Sequence, residues 1–185
     1  MPVLRSLSIG SGFVALAGVL GLSAHAPAGL ASTPRPPQYS APAGEPVGGI
    51  SCDAQEGQRI HIHQHLVIFD HGKPVDIPRN VGQPTARPCI YWLHTHTPDG
   101  VIHIEAPKDR SFTLGDFFMV WGQPLGRAVA ASARAAKGAS LKVWVNGEPF
   151  TGDPRSIALK PHTDIVIEAG PPFVAPPKFT AWGSL

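Results

Sequence analysis

The segment Arg59–Asp70, RIHIHQHLVIFD, alternates without a break. His61, His63, His65, Val67 and Phe69 fall on one side, and Ile60, Ile62, Gln64, Leu66 and Ile68 fall on the other. A period of two is the signature of a β-strand, because successive side chains leave a pleated backbone in opposite directions. This strand has an apolar face that must be buried and an opposite face that starts with three imidazoles. The fold is therefore expected to be a sheet with one side packed against a core.

The rest of the chain extends that expectation. His71-Gly72 marks a turn into a return strand starting at Lys73. PCIYWLHTHTPDGVIHIEAP reads as two strands rich in β-formers around a Pro-Asp-Gly turn. Thr113 with Asp116 three residues later is a capping box, and Leu114, Phe117, Phe118 and Trp121 follow at helical spacing, so a helix is expected over Thr113–Gln123. Pro124 ends it. The Ala-rich stretch Gly126–Lys137, closed by Gly138, is expected to be a second helix. Asn146-Gly147 signals a tight hairpin, and Asp164–Glu168 a last strand. The expected class is a β-rich α+β fold: a small antiparallel sheet or sandwich of hairpins with one or two helices packed on it. SLKVWVNGEPF, from Ser140, echoes HLVIFDHGKPV, from His65. Each reads Leu-x-aliphatic-aromatic-x-x-Gly-x-Pro and is followed by a Pro-Arg pair, as duplication or the common use of Gly-x-Pro hairpins would both produce.

Outside this region the chain changes character. Arg5 followed by the uncharged, mostly apolar stretch Ile9–Leu22 resembles a secretory leader and is short for a membrane span. Cleavage is expected after Ala31, because Pro27 follows the Ala24-His25-Ala26 site; an uncleaved anchor is the competing reading. The organisation expected is a signal peptide over 1–31, a Pro/Ala-rich disordered linker over 32–49 (its composition starts at Pro27), a folded domain over 50–172 and a Pro-rich tail over 173–185. The location expected is periplasmic or extracellular. In such a compartment Cys52 and Cys89 are expected to form a disulfide, which for a loop of this length stabilises by roughly 4 kcal/mol. Metal ligation by these thiols is the alternative, weakened because neither belongs to a C-x-x-C pair. A formal charge of +2 with no Lys/Arg run argues against nucleic acid or a membrane surface as partner.

Seven of the nine histidines lie between His61 and His103. Neutral imidazole is the commonest metal ligand, and on a strand residues i and i+2 lie about 7 Å apart on one side. HIHQH, from His61 to His65, offers that arrangement twice, HTH offers it again, and His103 with Glu105 shares a face of the next strand. The candidate ligands are His61, His63, His65, His94, His96, His103 and Glu105. His25 and His162 carry no such expectation. A two-residue Asp99-Gly100 turn would set His96 opposite His103 and His94 opposite Glu105; a three-residue loop would set His103 beside Thr95, with Glu105 turned away. Imidazole and carboxylate without methionine suit a divalent transition metal, copper or zinc first, over Cu(I). The expected function is an extracytoplasmic metal-binding protein, with a protein partner for metal transfer as a further expectation. The alternatives are a metalloenzyme whose bound ion activates water or oxygen, and a module whose histidines respond to pH.

Taken together, HIHQHLVIF, YWLHTHTPDGVIHIE and FTLGDFFMVWGQPL resemble a group of exported bacterial proteins over about Gly57 to Gly170. The resemblance implies export and brings no activity with it. His-x-His on a strand is also similar to the pattern of cupins and α-type carbonic anhydrases, but the cupin pattern places a Glu shortly after the second His, where Val101 stands here. No cupin residue carries over.

Overall fold

The computed structural model describes Val3 and residues 41–185. The described residues from 41 onward belong to one compact unit, Pro37–Leu185. Every strand and helix among the described residues belongs to this unit. The expected leader, its cleavage points and the linker up to residue 40 lie outside the described residues.

The strands are β1 (Cys52–Asp53), β2 (Ile60–Asp70), β3 (Lys73–Val75), β4 (Ile90–Tyr91), β5 (Leu93–His94) and β6 (Val101–Ala106) before the helix α1 (Leu114–Trp121). After it come β7 (Leu125–Gly126), β8 (Val129–Ala130), β9 (Ala133–Arg134), β10 (Lys142–Val145), β11 (Glu148–Pro149) and β12 (Thr163–Ala169). The main sheet has seven strands, in the order β11-β10-β12-β2-β6-β5, with β3 paired to the end of β2. The fold is β-rich α+β, as expected. Its pairings among the described residues are antiparallel except one: β12 runs parallel to β2, Thr163 facing Gln64 and Ile167 facing Ile68.

The alternation in β2 does what a period of two dictates. Leu66 and Ile68 are buried, and Ile60 and Ile62 pack against the same core, which also takes Leu93, Ile102, Ile104, Ile165 and Ile167 from neighbouring strands. Leu114, Phe117, Phe118 and Trp121 of α1 belong to this core. The helix starts where the capping box placed it: Thr113 Oγ1 accepts from the Asp116 backbone N–H, and an Asp116 carboxylate oxygen accepts from the Thr113 N–H. It ends at Gly122, in the left-handed conformation.

The second expected helix does not form. Residues 125–134 make a three-stranded meander, β7-β8-β9, joined by two-residue turns. Ala130, Ala131 and Ala133 are buried in the main core. Alanine has the highest helix propensity, but that preference is weak and tertiary packing overrides it. Here the absence of bulk lets a thin ribbon lie close to the core, and Arg134 Nη1 donates to the carbonyls of Ala131 and Ala133 to hold the turn.

The two echoing hairpins are equivalent in geometry. His71-Gly72 and Asn146-Gly147 both have two positive φ angles, the turn that matches strand twist, and Phe69 faces Pro74 as Trp144 faces Pro149. The domain also extends further than the expected boundary at Ile50. Gly44 N–H donates to the Tyr91 hydroxyl, which donates to the Glu45 carbonyl, and Val47 pairs with a fully buried Ile50. A Pro/Gly-rich composition did not prevent order here, because backbone groups found side-chain and backbone partners. The Pro-rich end is likewise packed: Phe179 stacks on His65, and Trp182 lies against His162. Cys52 and Cys89 are joined by a disulfide spanning 37 residues.

Candidate metal centre

Three adjacent strands build the histidine face. On β6, His103 and Glu105 share the side opposite Ile102 and Ile104. Directly opposite His103 stand His63 of β2 and His94 of β5, and directly opposite Glu105 stands His61. This gives a row of three imidazoles across the sheet with an imidazole–carboxylate pair beside it. The connection Thr95–Gly100 is six residues long, so neither register expected for a tight turn occurs. The pairing lies two residues from that of the two-residue turn. A shift of two keeps every side chain on its face, whereas a shift of one would reverse them. Gly100, at φ 81°, lets the loop close against β2, where its carbonyl accepts from the Leu66 N–H.

Two groups of four have donor atoms mutually within 4.8 Å: His61, His63, His103 and Glu105, and His94, His96, His103 and Glu105. These clusters are close enough to hold a metal ion. In the first, His61 Nε2 is 3.2 Å from Glu105 Oε1. In the second, His94 Nε2 is 3.2 Å from His96 Nε2. The His103 ring lies between them, 4.5 Å from the rings of both His63 and His96.

Hydrogen bonds fix how several rings present themselves. His94 is fully buried, and its Nδ1 lies 2.9 Å from the Tyr91 carbonyl. A carbonyl only accepts, so Nδ1 carries the proton and the Nε2 lone pair faces the site. This is how protein metal sites commonly orient an imidazole. Gln83 Nε2 is placed by the Thr95 carbonyl and reaches His96 Nδ1 at 3.4 Å, which leaves the His96 Nε2 proton between the two Nε2 atoms. His103 Nδ1 is buried without a hydrogen bond, 3.5 Å from Glu105 Oε1. An orphaned buried nitrogen among lone pairs is the kind of exception that an ion explains.

Burial keeps three of the rings neutral. Desolvation, reinforced by neighbouring histidines, pushes His94 down to about 4 and His103 to about 3, and lowers His63 as well. Glu105 moves the other way, up to about 7, through burial and the nearby Glu56 carboxylate. Two facing carboxylates share either a proton or a cation.

Among the expected ligands, His61, His63, His94, His96, His103 and Glu105 converge. His65 does not join either group. It lies on the same face, but its Nδ1 is 2.9 Å from Asp164 Oδ1 and its ring is stacked on Phe179, with centroids 4.0 Å apart. His162 is occupied elsewhere, its Nε2 donating to the Leu185 carbonyl. Glu56 was not among the expected ligands. Its Oε1 lies 3.6 Å from His96 Nε2 and 3.9 Å from His94 Nε2. The Cys52–Cys89 bond and a 2.7 Å hydrogen bond from Trp92 Nε1 to Asp53 hold its loop beside the site. Gly57 then lets that loop press onto β6: a Cβ there would sit 2.2 Å from the Ala106 carbonyl carbon. The signal for Glu56 was the disulfide itself, which ties the DAQEG segment to the strands carrying HTH.

Comparison with family models, curated proteins and solved structures returns no match. No helix among the described residues is long and apolar enough to cross a membrane.

Proposed function

We propose that this chain is an extracytoplasmic protein that binds a divalent transition metal, copper or zinc, through His61, His63, His94, His96, His103 and Glu105. The observation that carries the reading is the pair of Nε2 atoms of His94 and His96, 3.2 Å apart with one proton between them. An ion at the usual Zn–N distance of about 2.05 Å from each would subtend roughly 100°, close to the tetrahedral angle. The site is thus spaced for an ion where a proton now sits, and the buried rings are already deprotonated. Imidazole and carboxylate donors suit Zn or Cu(II). The disulfide supports an oxidising location. Binding is favoured over catalysis because the donors outnumber the three that a catalytic ion keeps while leaving a position open.

The test is elemental analysis of protein purified and refolded with zinc or copper, beside a His63→Ala/His94→Ala double variant. Wild type is expected to retain at least one equivalent, and the variant to lose at least half of it. Equal metal in the two proteins sinks the assignment of the site.

A further inference from the structure

The donors are not arranged around one point. The two groups of four share His103 and Glu105, and neither combines a histidine of β2 with one of the β5 pair, His94 and His96. Two separate donor pairs sit 3.2 Å apart: His61 Nε2 with Glu105 Oε1, and His94 Nε2 with His96 Nε2. Each has the spacing that a single ion about 2.05 Å from both atoms requires. His61 and His63 come from β2 and His94 from β5, the strands on either side of β6, two strand spacings or about 9.5 Å apart at the backbone. Six donors also exceed the four of a tetrahedral ion, and Glu56 adds a seventh at the rim of the second group.

We propose that the centre holds two divalent ions, one on each side of β6, bridged by the Glu105 carboxylate. This rests on the metal-binding reading above. His61 and His63 hold the first ion, and His94 and His96 the second. His103 stands between them as the fourth donor for one position, and Glu56 is available to the second. A carboxylate has two oxygens and spans ions about 3.5–4 Å apart, the separation found in two-metal sites. Its position in the middle strand also explains why a single buried acid sits among five imidazoles: it offsets charge from both ions at once.

The probe is zinc alone, titrated into metal-free protein and followed by calorimetry and native mass spectrometry. Two zinc ions per chain are expected in wild type. One is expected in the His61→Ala/His63→Ala variant and one in the His94→Ala/His96→Ala variant. Because His94 is buried, a His96→Ala single variant with unchanged circular dichroism serves as its folded counterpart; it is expected to bind the second zinc at least tenfold more weakly. Copper tests the bridge. As the second equivalent of Cu(II) enters, the paramagnetic resonance signal is expected to broaden and a half-field transition to appear, both lost in Glu105→Gln. One zinc per wild-type chain overturns the two-ion proposal and leaves the metal-binding reading standing. No zinc and no copper overturns both. Two copper ions without magnetic coupling overturn the Glu105 bridge.

Discussion

The two faces of the β2–β6–β5 sheet share one backbone and have opposite chemistry. On one face Leu66, Ile68, Ile102, Ile104 and Leu93 are buried in one core with the apolar residues of α1. On the other, His61, His63, His94, His103 and Glu105 crowd together with few internal hydrogen bonds. The first face repays burial directly, because apolar surface leaves water. The second stores a deficit: neutral rings, an orphaned His103 nitrogen and a carboxyl group held near pH 7. One face makes the fold, and the other brings together donors that a bound ion would satisfy.

Breaking the apolar face has the largest expected effect. Phe118→Ala removes a buried ring of α1 and is expected to destabilise by roughly 3–5 kcal/mol, with metal stoichiometry unchanged in the folded fraction. Denaturant melts of the two proteins measure it. Stability equal to wild type would mean that the helix is not a wall of the core.

A smaller effect comes from the one residue that breaks the pattern. Gln64 is fully buried on the apolar face, and both its amide atoms lack partners. Gln64→Leu is expected to stabilise by about 1–3 kcal/mol, the cost of leaving a polar group unsatisfied, without altering metal uptake. A loss of stability would mean that the amide has a function in the core.

The effect that is smallest per step is the pH slope of the metal-free protein. His94 and His103 have folded values below the unfolded 6.5, so the unfolded state binds more protons and stability falls on acidification below pH 6.5. Glu105 has a folded value of about 7 against 4.5 unfolded, so its contribution grows as pH falls from 7 to 4.5. Between 6.5 and 4.5, the losses from His94 and His103 oppose one gain, leaving a net loss of the order of 1.4 kcal/mol per pH unit, and the lowered His63 adds to that loss. Below 4.5 the Glu105 gain is complete, and the slope steepens towards pH 4. Chemical denaturation at stepped pH reads this directly. Rising stability from pH 6 to 5 would show that the histidine face is hydrated and titrates freely.

What the sequence revealed was local. The alternation of β2, the Thr113–Asp116 capping box and the Asn146-Gly147 turn are each specified by residues a few positions apart. The alanines of 126–137 misled because propensity is a small term beside packing. The parallel pairing of β12 with β2 depends on contacts a hundred residues distant and leaves no local pattern. The same holds at the site. His-x-His spacing located two pairs of ligands, but whether His65 joined them depended on Asp164 and Phe179 far along the chain. Glu56 was hidden for the same reason, since only the disulfide and the bare Cα of Gly57 bring it near.

The place of β12 sets an order of events. The last strand of the chain is inserted at the centre of the sheet, between β10 and β2. Until residues 163–169 are available, β2 has an open edge along Gln64–Asp70, and the two hairpins cannot join. Distant pairings of this kind slow folding. A polypeptide emerging from its N-terminus thus keeps β2 half-paired, and its sheet in two pieces, until residues 163–169 have appeared.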